Sequence, residues 1–459
     1  MLCILDNAAT GDADLRRAQR AVTYTLMRPF PMKELMALLA VTCSTVALGG
    51  QGPSESFPLV EAVECRPRGG LPNAFAKLAT GGEVRVAYIG GSITAANGWR
   101  PMTTRWLAQT YPDAKVVEIN AAIGGTGSDL GVFRFRRDVL EHKPALVFIE
   151  FAVNDGGFAP DLILRTMEGM VRQARSQDST IDICFVYTLT DGMVTTLAAG
   201  KFPRSASAME KVADYYGIPS IHMGMEVVRL HKEGKLVLRA APRTAEEKAA
   251  LSDKIVFSAD GVHPHAETGH KLYLEAIVRS FQKMRGGGTA GARPPLPPLT
   301  QGNYENARLV PVSRATMSAG WRRLDPQKDA LAGRFSKYLP DLHVAAQAGE
   351  SLSLRFRGTY VGFMDLLGPD CGQVVVSIDD GPPVRVARFD AYSTYHRIGS
   401  FAAGRDLPAG VHTVKVTLDG TPLDKAAILS RLNNRMDDPK RFEGLSWYVS
   451  QVMLIGDLE

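Results

Sequence analysis

The spacing of apolar and polar residues changes once along this chain, and the change divides it. From about residue 70 to 285, short apolar runs alternate with stretches whose apolar positions recur near every 3.6 residues. The runs at 84–89, 114–120, 145–151, 181–188 and the shorter 218–222 predict strands. The stretches 100–111, 128–142, 162–177 and 205–216 predict helices between them. Apolar strands that alternate with helices imply a parallel sheet covered on both faces. Ligands of such sheets gather at the carboxyl ends of the strands.

Beyond residue 303 the period becomes two. Segments 352–356, 374–378, 384–388 and 411–418 alternate apolar and polar residues, divided by turn signals such as Asp379-Asp380-Gly381-Pro382 and Asp419-Gly420. Several short strands bounded in this way predict an antiparallel β-sandwich, jelly-roll-like, over 304–459. Between the two regions lies a glycine-rich run from Gly286, followed by Pro294-Pro295-Leu296-Pro297-Pro298. This composition reads as a linker over 286–303, a flexible piece and then a stiff one. No repeat at solenoid periods is present.

The first 50 residues read as targeting rather than fold. Met32-Lys33-Glu34 precedes the apolar run from Leu35 to Val41, and small residues follow through Gly50. A cation, an apolar stretch of about a dozen residues and a small-residue exit describe a bacterial-type secretory signal over about 32–50. The run is shorter than the ~20 residues that span a bilayer. The expectation is therefore an exported protein with no stable membrane insertion after processing, whose translation starts at Met32. Removal of the segment leaves Cys65, Cys184 and Cys371, an odd count that gives no disulfide framework.

Composition narrows the function classes. Of the 459 residues 45% are hydrophobic and 22% charged, which is a globular balance. A net charge of +5 over this length is too weak for a nucleic-acid partner, and the arginines of Arg134-Phe135-Arg136-Arg137 read as one solvated helical turn.

The chemistry-bearing residues fall at strand ends. The first predicted strand runs into Gly90-Gly91-Ser92-Ile93, a sharp turn that presents Ser92 beyond the sheet edge. A serine hydroxyl is a weak nucleophile and needs a base. Asp260-Gly261-Val262-His263-Pro264 offers one, because residues three apart can meet within a turn and the carboxylate can orient the imidazole. A helix is expected from about Ala266. Two more strand ends can supply hydrogen-bond donors to an oxyanion. One is the glycine-rich Ala121–Gly127, where Gly124, Gly125 and Gly127 compete for the role, and the other is Asn154 of Asn154-Asp155-Gly156-Gly157. His263, His265 and His270 do not follow a metal-ligand spacing. Trp99 and Arg100, soon after the nucleophile, are candidates to line a substrate cleft or to cap a helix. Tyr392, Tyr395, Trp447 and Tyr448 are candidates for a sugar-stacking platform, or for sandwich core.

Taken in order, these blocks resemble the SGNH (GDSL-like) hydrolase family over roughly residues 80–280. The family's Gly-Asp-Ser appears as Gly90-Gly91-Ser92, its Gly-x-Asn-Asp as Ala152-Val153-Asn154-Asp155, and its Asp-x-x-His as Asp260-Gly261-Val262-His263. The resemblance places Gly125 at the family's oxyanion glycine. It implies a flavodoxin-like three-layer α/β/α fold and an open site. It also implies ester hydrolysis through an acyl-enzyme on Ser92, His263 and Asp260, with Ser92, Gly125 and Asn154 as the oxyanion hole and with no metal or organic cofactor. An exported hydrolase of this kind with an appended sandwich is expected to remove acetyl or other small acyl groups from a carbohydrate. The alternatives are a lipase, arylesterase or thioesterase of the same fold, a non-catalytic glycan-binding protein, and acyl transfer to an alcohol. The acyl group, the sugar and the oligomeric state stay open.

Overall fold

The apolar runs become the strands of a buried sheet in the computed structural model, which describes residues 57–294 and 296–459. The expected signal segment lies outside the described residues. Strands β1 (Cys65–Arg66), β2 (Gly82–Gly90), β3 (Ala114–Asn120), β4 (Leu146–Glu150), β5 (Asp182–Tyr187) and β6 (Ser220–His222) form one sheet in the order β1-β6-β5-β4-β2-β3. All neighbours are parallel except β1 on β6. Every residue of β4 and β5 is buried, which is why these strands show no alternation in the sequence.

Helices cover both faces, giving the flavodoxin-like arrangement. Helices α1 (Pro72–Thr80), α2 (Ser92–Ala95), α3 (Trp99–Thr110), α4 (Ser128–Asp138) and α5 (Pro160–Gln177) follow in chain order. On one face α4 packs on α5 and α5 on the helix Arg204–Tyr216, while α3 packs on the helix Gly269–Met284. The latter begins at Gly269 rather than near Ala266, because 264–268 first closes onto the small parallel pair β7 (Leu236–Arg239) and β8 (Ile255–Ser258). That pair was not expected. Because β3 and β4 flank β2 on opposite sides, the chain diverges at the carboxyl end of β2, and a crevice opens there.

The second half is one hydrogen-bonded antiparallel sheet folded around its own core. Its strands are β9 (Ala307–Pro311), β10 (Thr316–Met317), β11 (Arg322–Arg323), β12 (His343–Ala345), β13 (Ser351–Leu367), β14 (Gln373–Ile378), β15 (Val384–Ala387), β16 (Arg397–Gly404), β17 (Gly410–Asp419) and β18 (Trp447–Leu458). The 17-residue β13 organises it, pairing along one edge first with β17 and then with β16, and along the other with β18. Leu352, Phe356, Phe363, Val374, Val414, Trp447 and Val452 fill the interior.

The two halves pack as one unit. Strand β9 lies against α4, and Phe133 of α4 meets Tyr360 of β13 at 4.7 Å between ring centroids. The Gly/Pro segment, expected to be flexible and then stiff, is instead bound along the α/β half. Asn73 exchanges hydrogen bonds with Gly291, Arg172 donates to the Leu296 carbonyl at 2.6 Å, and the buried Glu168 carboxylate accepts from the N–H groups of Leu299 and Thr300. Backbone groups that a free linker would leave to water are satisfied here by the helices beneath it. Among the described residues no helix is long and apolar enough to cross a membrane. Cys65, Cys184 and Cys371 are unbridged.

Candidate active site

Strand β2 delivers Gly90-Gly91-Ser92 into the crevice at its carboxyl end. Gly91 is required there by space, since a Cβ on it would fall 1.9 Å from Asn154 Oδ1. The Ser92 turn therefore lies directly against the Asn154 amide. Beneath the turn sits Glu150, the last residue of β4, completely buried. Thr94 Oγ1 donates to it at 2.9 Å and Thr188 Oγ1 at 2.8 Å. Burial pushes this carboxyl above its ordinary range, opposed by the bonds from Thr188, Thr94 and the Gly91 backbone.

The late Asp-His segment closes over the serine. His263 Nε2 lies 2.8 Å from Ser92 Oγ, and His263 Nδ1 lies 2.6 Å from Asp260 Oδ2. Asp260 Oδ1 accepts the backbone N–H groups of Val262 and His263 at 2.9 and 2.8 Å, so the turn fixes the carboxylate before it meets the ring. Between them Gly261 has φ +84°, and a Cβ on it would meet the Asp191 carboxylate at 2.2 Å. A residue with a side chain would be strained at that backbone conformation. Partial burial raises the Asp260 carboxyl, but the bonds from the His263 ring and from the His263 and Val262 N–H groups outweigh it and bring it down to about 2. The carboxylate is thus charged at neutral pH. The Asp260 and His263 side chains are half exposed, so the site is open to solvent.

The other expected residues divide. Gly125, in the loop after β3, and Asn154, at the start of a 3₁₀ turn after β4, flank Ser92 from the two neighbouring strands. A Cβ on Gly124 would lie 3.6 Å from Ser92 Cβ, which measures how closely this loop approaches Ser92. Asp155 is not at the surface of the site. It is fully buried, accepts the Ser128 N–H at 2.9 Å, and is pushed by burial up to about 8.

Trp99 and Arg100 do not line the cleft. Trp99 is buried at 0% exposure, stacked edge-on against Tyr88 and Phe148, and its backbone N–H donates to His270 Nδ1 at 3.2 Å. Arg100 is buried in an ion pair with Glu118 and donates to the Thr94 carbonyl at 3.0 Å, bracing the turn from behind. Helix α3 turns both side chains inward because its N-terminus packs against the sheet. Arg134 likewise departs from the solvated turn expected of it. It is completely buried and donates to the carbonyl of Ala121 and to Asp138.

Several residues that shape the site gave no local motif. Glu150 left one faint sign, an acid ending an otherwise apolar run. The rest come from the β half. Lys337 donates to the Asn120 carbonyl at 3.0 Å, Tyr338 to that of Ala122 at 3.3 Å, and Arg397 Nη1 lies 3.8 Å from where a Cβ on Gly125 would sit. The proposed aromatic quartet splits as well. Trp447 is core, with Nε1 donating to Asp365, and Tyr448 donates to Asp370 at 2.6 Å. Tyr392 and Tyr395 are 56% and 50% exposed.

Comparison with known proteins agrees with this geometry. Residues 88–272 match the GDSL-like Lipase/Acylhydrolase family. This part of the chain is a GDSL-like domain. Esterase TesA of Pseudomonas aeruginosa is 36% identical over 101 residues, which are 20% of this chain and 49% of that protein. The chain thus spans about half the length of this curated relative. A solved two-domain esterase (CEX), active on acetylated mannans and co-crystallized with mannopentaose, superposes with a TM-score of 0.63 at 19% identity. It covers 86% of this chain and 99% of its own. A second structure of a two-domain esterase (CEX) active on acetylated mannans gives 0.62 with the same coverage. At such identity the likeness is one of fold, and it extends over the GDSL-like domain and the β half together.

Proposed function

We propose that the protein is an exported serine esterase that removes acetyl or other small acyl groups from a carbohydrate. The observation that carries this reading is the continuous relay from Asp260 through His263 to Ser92, at 2.6 and 2.8 Å. In the proposed reaction Ser92 Oγ attacks the ester carbonyl and His263 Nε2 takes its proton. Asp260 keeps Nδ1 protonated and stabilises the imidazolium. The N–H groups of Ser92 and Gly125 and the Asn154 amide receive the negative oxygen of the tetrahedral intermediate. His263 then returns the proton to the leaving alcohol, and water repeats the cycle on the acyl-enzyme to release the acid. No step requires a metal or an organic cofactor.

The carbohydrate reading is supported by the half-exposed site, which admits a bulky alcohol. It is also supported by the two-domain architecture shared with an esterase active on acetylated mannans. The signal-like segment at 32–50 supports export. The test is turnover of p-nitrophenyl acetate and of acetylated mannan, xylan and xyloglucan by the purified protein, beside p-nitrophenyl palmitate. The expected result is acetate release from a polysaccharide and a strong preference for short acyl chains. Ser92→Ala is expected to lower turnover by about 10⁴-fold or more, leaving only background. Preference for the palmitate ester would replace the reading with that of a lipase. Glycan binding without any ester turnover would replace it with that of a binding protein.

A further inference from the structure

The β half brings a charged and aromatic loop to the edge of the oxyanion loop, and nothing in the ester chemistry uses it. Arg397, the first residue of β16, points Nη1 toward Gly125, whose neighbour Gly124 adjoins Ser92. Its other Nη is paired with Asp390, and its buried Nε has no partner. The guanidinium carbon stands 5.8 Å from the centre of the Tyr392 ring, which is 56% exposed. Arg397 thus adjoins the loop that holds Gly125, with Asp390 and the Tyr392 ring beside it.

The loop that carries them is held rigidly. Asp390 accepts from the Tyr392 N–H and from Ser393 Oγ at 3.0 and 3.1 Å. Asn434 donates to the Ala391 carbonyl at 2.7 Å and Arg441 to that of Thr394 at 3.0 Å. At the far end His396 is fixed by Asp370 at 2.6 Å, and Asp370 also accepts from Tyr448 at 2.6 Å. Asp370, His396 and the buried Cys371 lie close enough together to suggest a metal site. However, the Asp–His separation is that of a hydrogen bond, both Asp370 oxygens are committed to donors, and the Cys371 thiol faces the Leu366 carbonyl at 3.6 Å. The cluster is an anchor for the loop.

A preorganised loop lowers the ordering cost of binding. A flat apolar ring beside a fork of N–H donors and a carboxylate matches a sugar, which has an apolar C–H face and a rim of hydroxyls that donate and accept. We propose that Asp390, Tyr392 and Arg397 form a sugar subsite next to the catalytic serine. Tyr392 stacks the sugar unit adjoining the acylated one, while Arg397 and Asp390 hydrogen-bond its hydroxyls. This rests on the esterase reading and extends it: the enzyme recognises an oligosaccharide rather than a single acylated sugar, and its β half is a specificity element.

The experiment compares a small ester with a long one on the full-length protein. Acetylated mannopentaose or acetylated xylopentaose is used, whichever the wild type turns over faster, beside p-nitrophenyl acetate. Tyr392→Ala and Arg397→Ala are each expected to lower kcat/KM on the oligosaccharide about tenfold, mostly through KM. Tyr392→Ala is expected to leave p-nitrophenyl acetate within about twofold. Arg397→Lys, which keeps the charge but loses the fork, is expected to recover only part of the loss. Unchanged oligosaccharide kinetics in Tyr392→Ala, whose exposed side chain can be removed without harm to folding, would overturn the subsite. So would an equal loss on both substrates in Arg397→Ala, since Arg397 would then be a prop for the oxyanion loop. Failure of the esterase reading is separable: if wild type hydrolyses neither ester, calorimetric titration with plain mannopentaose and xylopentaose still decides whether Tyr392 contributes to binding.

Discussion

Asp260–His263 in the α/β half and Asp379–His412 in the β half are the same pair at nearly the same distance. In both, the carboxylate meets Nδ1, at 2.6 and 2.7 Å. They differ in what the other ring nitrogen faces. His412 Nε2 lies 2.8 Å from the Pro408 carbonyl, which can only accept, so both nitrogens of that ring are drawn into donating and the charged form is favoured. The bonds to Asp379 and to Pro408 accordingly raise its affinity for a proton. His263 Nε2 faces the Ser92 hydroxyl, which can donate, so that nitrogen is placed to accept rather than drawn into donating. A carboxylate–imidazole pair is thus a base only when the far nitrogen is left free to accept. The first pair has that freedom because the crevice beyond β2 brings a hydroxyl to it, and the second is a clamp on a turn.

The largest effect that tests this contrast is on catalysis. Asp260→Asn is expected to lower kcat/KM on p-nitrophenyl acetate by about 10⁴-fold, because the amide no longer fixes the tautomer that leaves Nε2 unprotonated. Asp379→Asn is expected to leave it within about twofold. Comparable losses in the two variants, both still folded by circular dichroism, would show that the far nitrogen does not distinguish the pairs.

The same contrast explains which parts of the molecule are legible in its sequence. Ser92, Asn154, Asp260 and His263 each sit in a short local pattern at a strand end, and the flavodoxin-like strand order then gathers them without further information. Strands β2, β4 and β5 were legible because apolar runs bounded by polar turns mean burial on both faces. The antiparallel strand expected at 352–356 runs on to Leu367, since from Tyr360 every residue is buried and alternation disappears. Strand β18 was invisible for the same reason, lying between β13 on one side and β9 and β12 on the other. Trp99 and Arg100 misled because closeness in sequence to a nucleophile says nothing about which way a helix turns its side chains. Arg397 approaches Gly125 across the junction of the two halves, and no period or motif encodes a contact of that range.

A smaller effect sharpens the contrast by adding an imidazole that is neither base nor clamp. His270 is 2% exposed beneath Trp99, with no carboxylate partner, and burial together with the nearby His263 brings it down to about 4. A histidine whose affinity for a proton is depressed on folding contributes stability that is fully present above its unfolded pKa of about 6.5. That stability is lost as pH falls toward 4, because in this window the unfolded chain binds the extra proton. A shift of this size corresponds to roughly 3 kcal/mol. Denaturant midpoints measured from pH 7 to 4.5 are expected to fall more steeply for wild type than for His270→Asn, which has no proton to take up. Parallel profiles would mean that the ring is not held neutral.

The smallest effect has the opposite sign and belongs to the clamp. His412 is raised and Asp379 lowered relative to their ordinary values. The histidine contribution is fully present below about pH 6.5 and is lost as pH rises through the folded value. The aspartate contribution is present above about pH 4 and is lost as pH falls below it. The pair therefore stabilises most between about pH 4 and 6.5, the window in which His270 destabilises. Asp379 is 46% exposed, so screening by water limits the gain to about 1 kcal/mol or less. The difference in denaturant midpoint between wild type and Asp379→Asn is expected to be greatest near pH 5.5 and to shrink toward pH 8. It is also expected to diminish in 0.5 M salt, which screens a surface pair. A difference that instead grew toward pH 8 would mean that His412 is neutral beside Asp379.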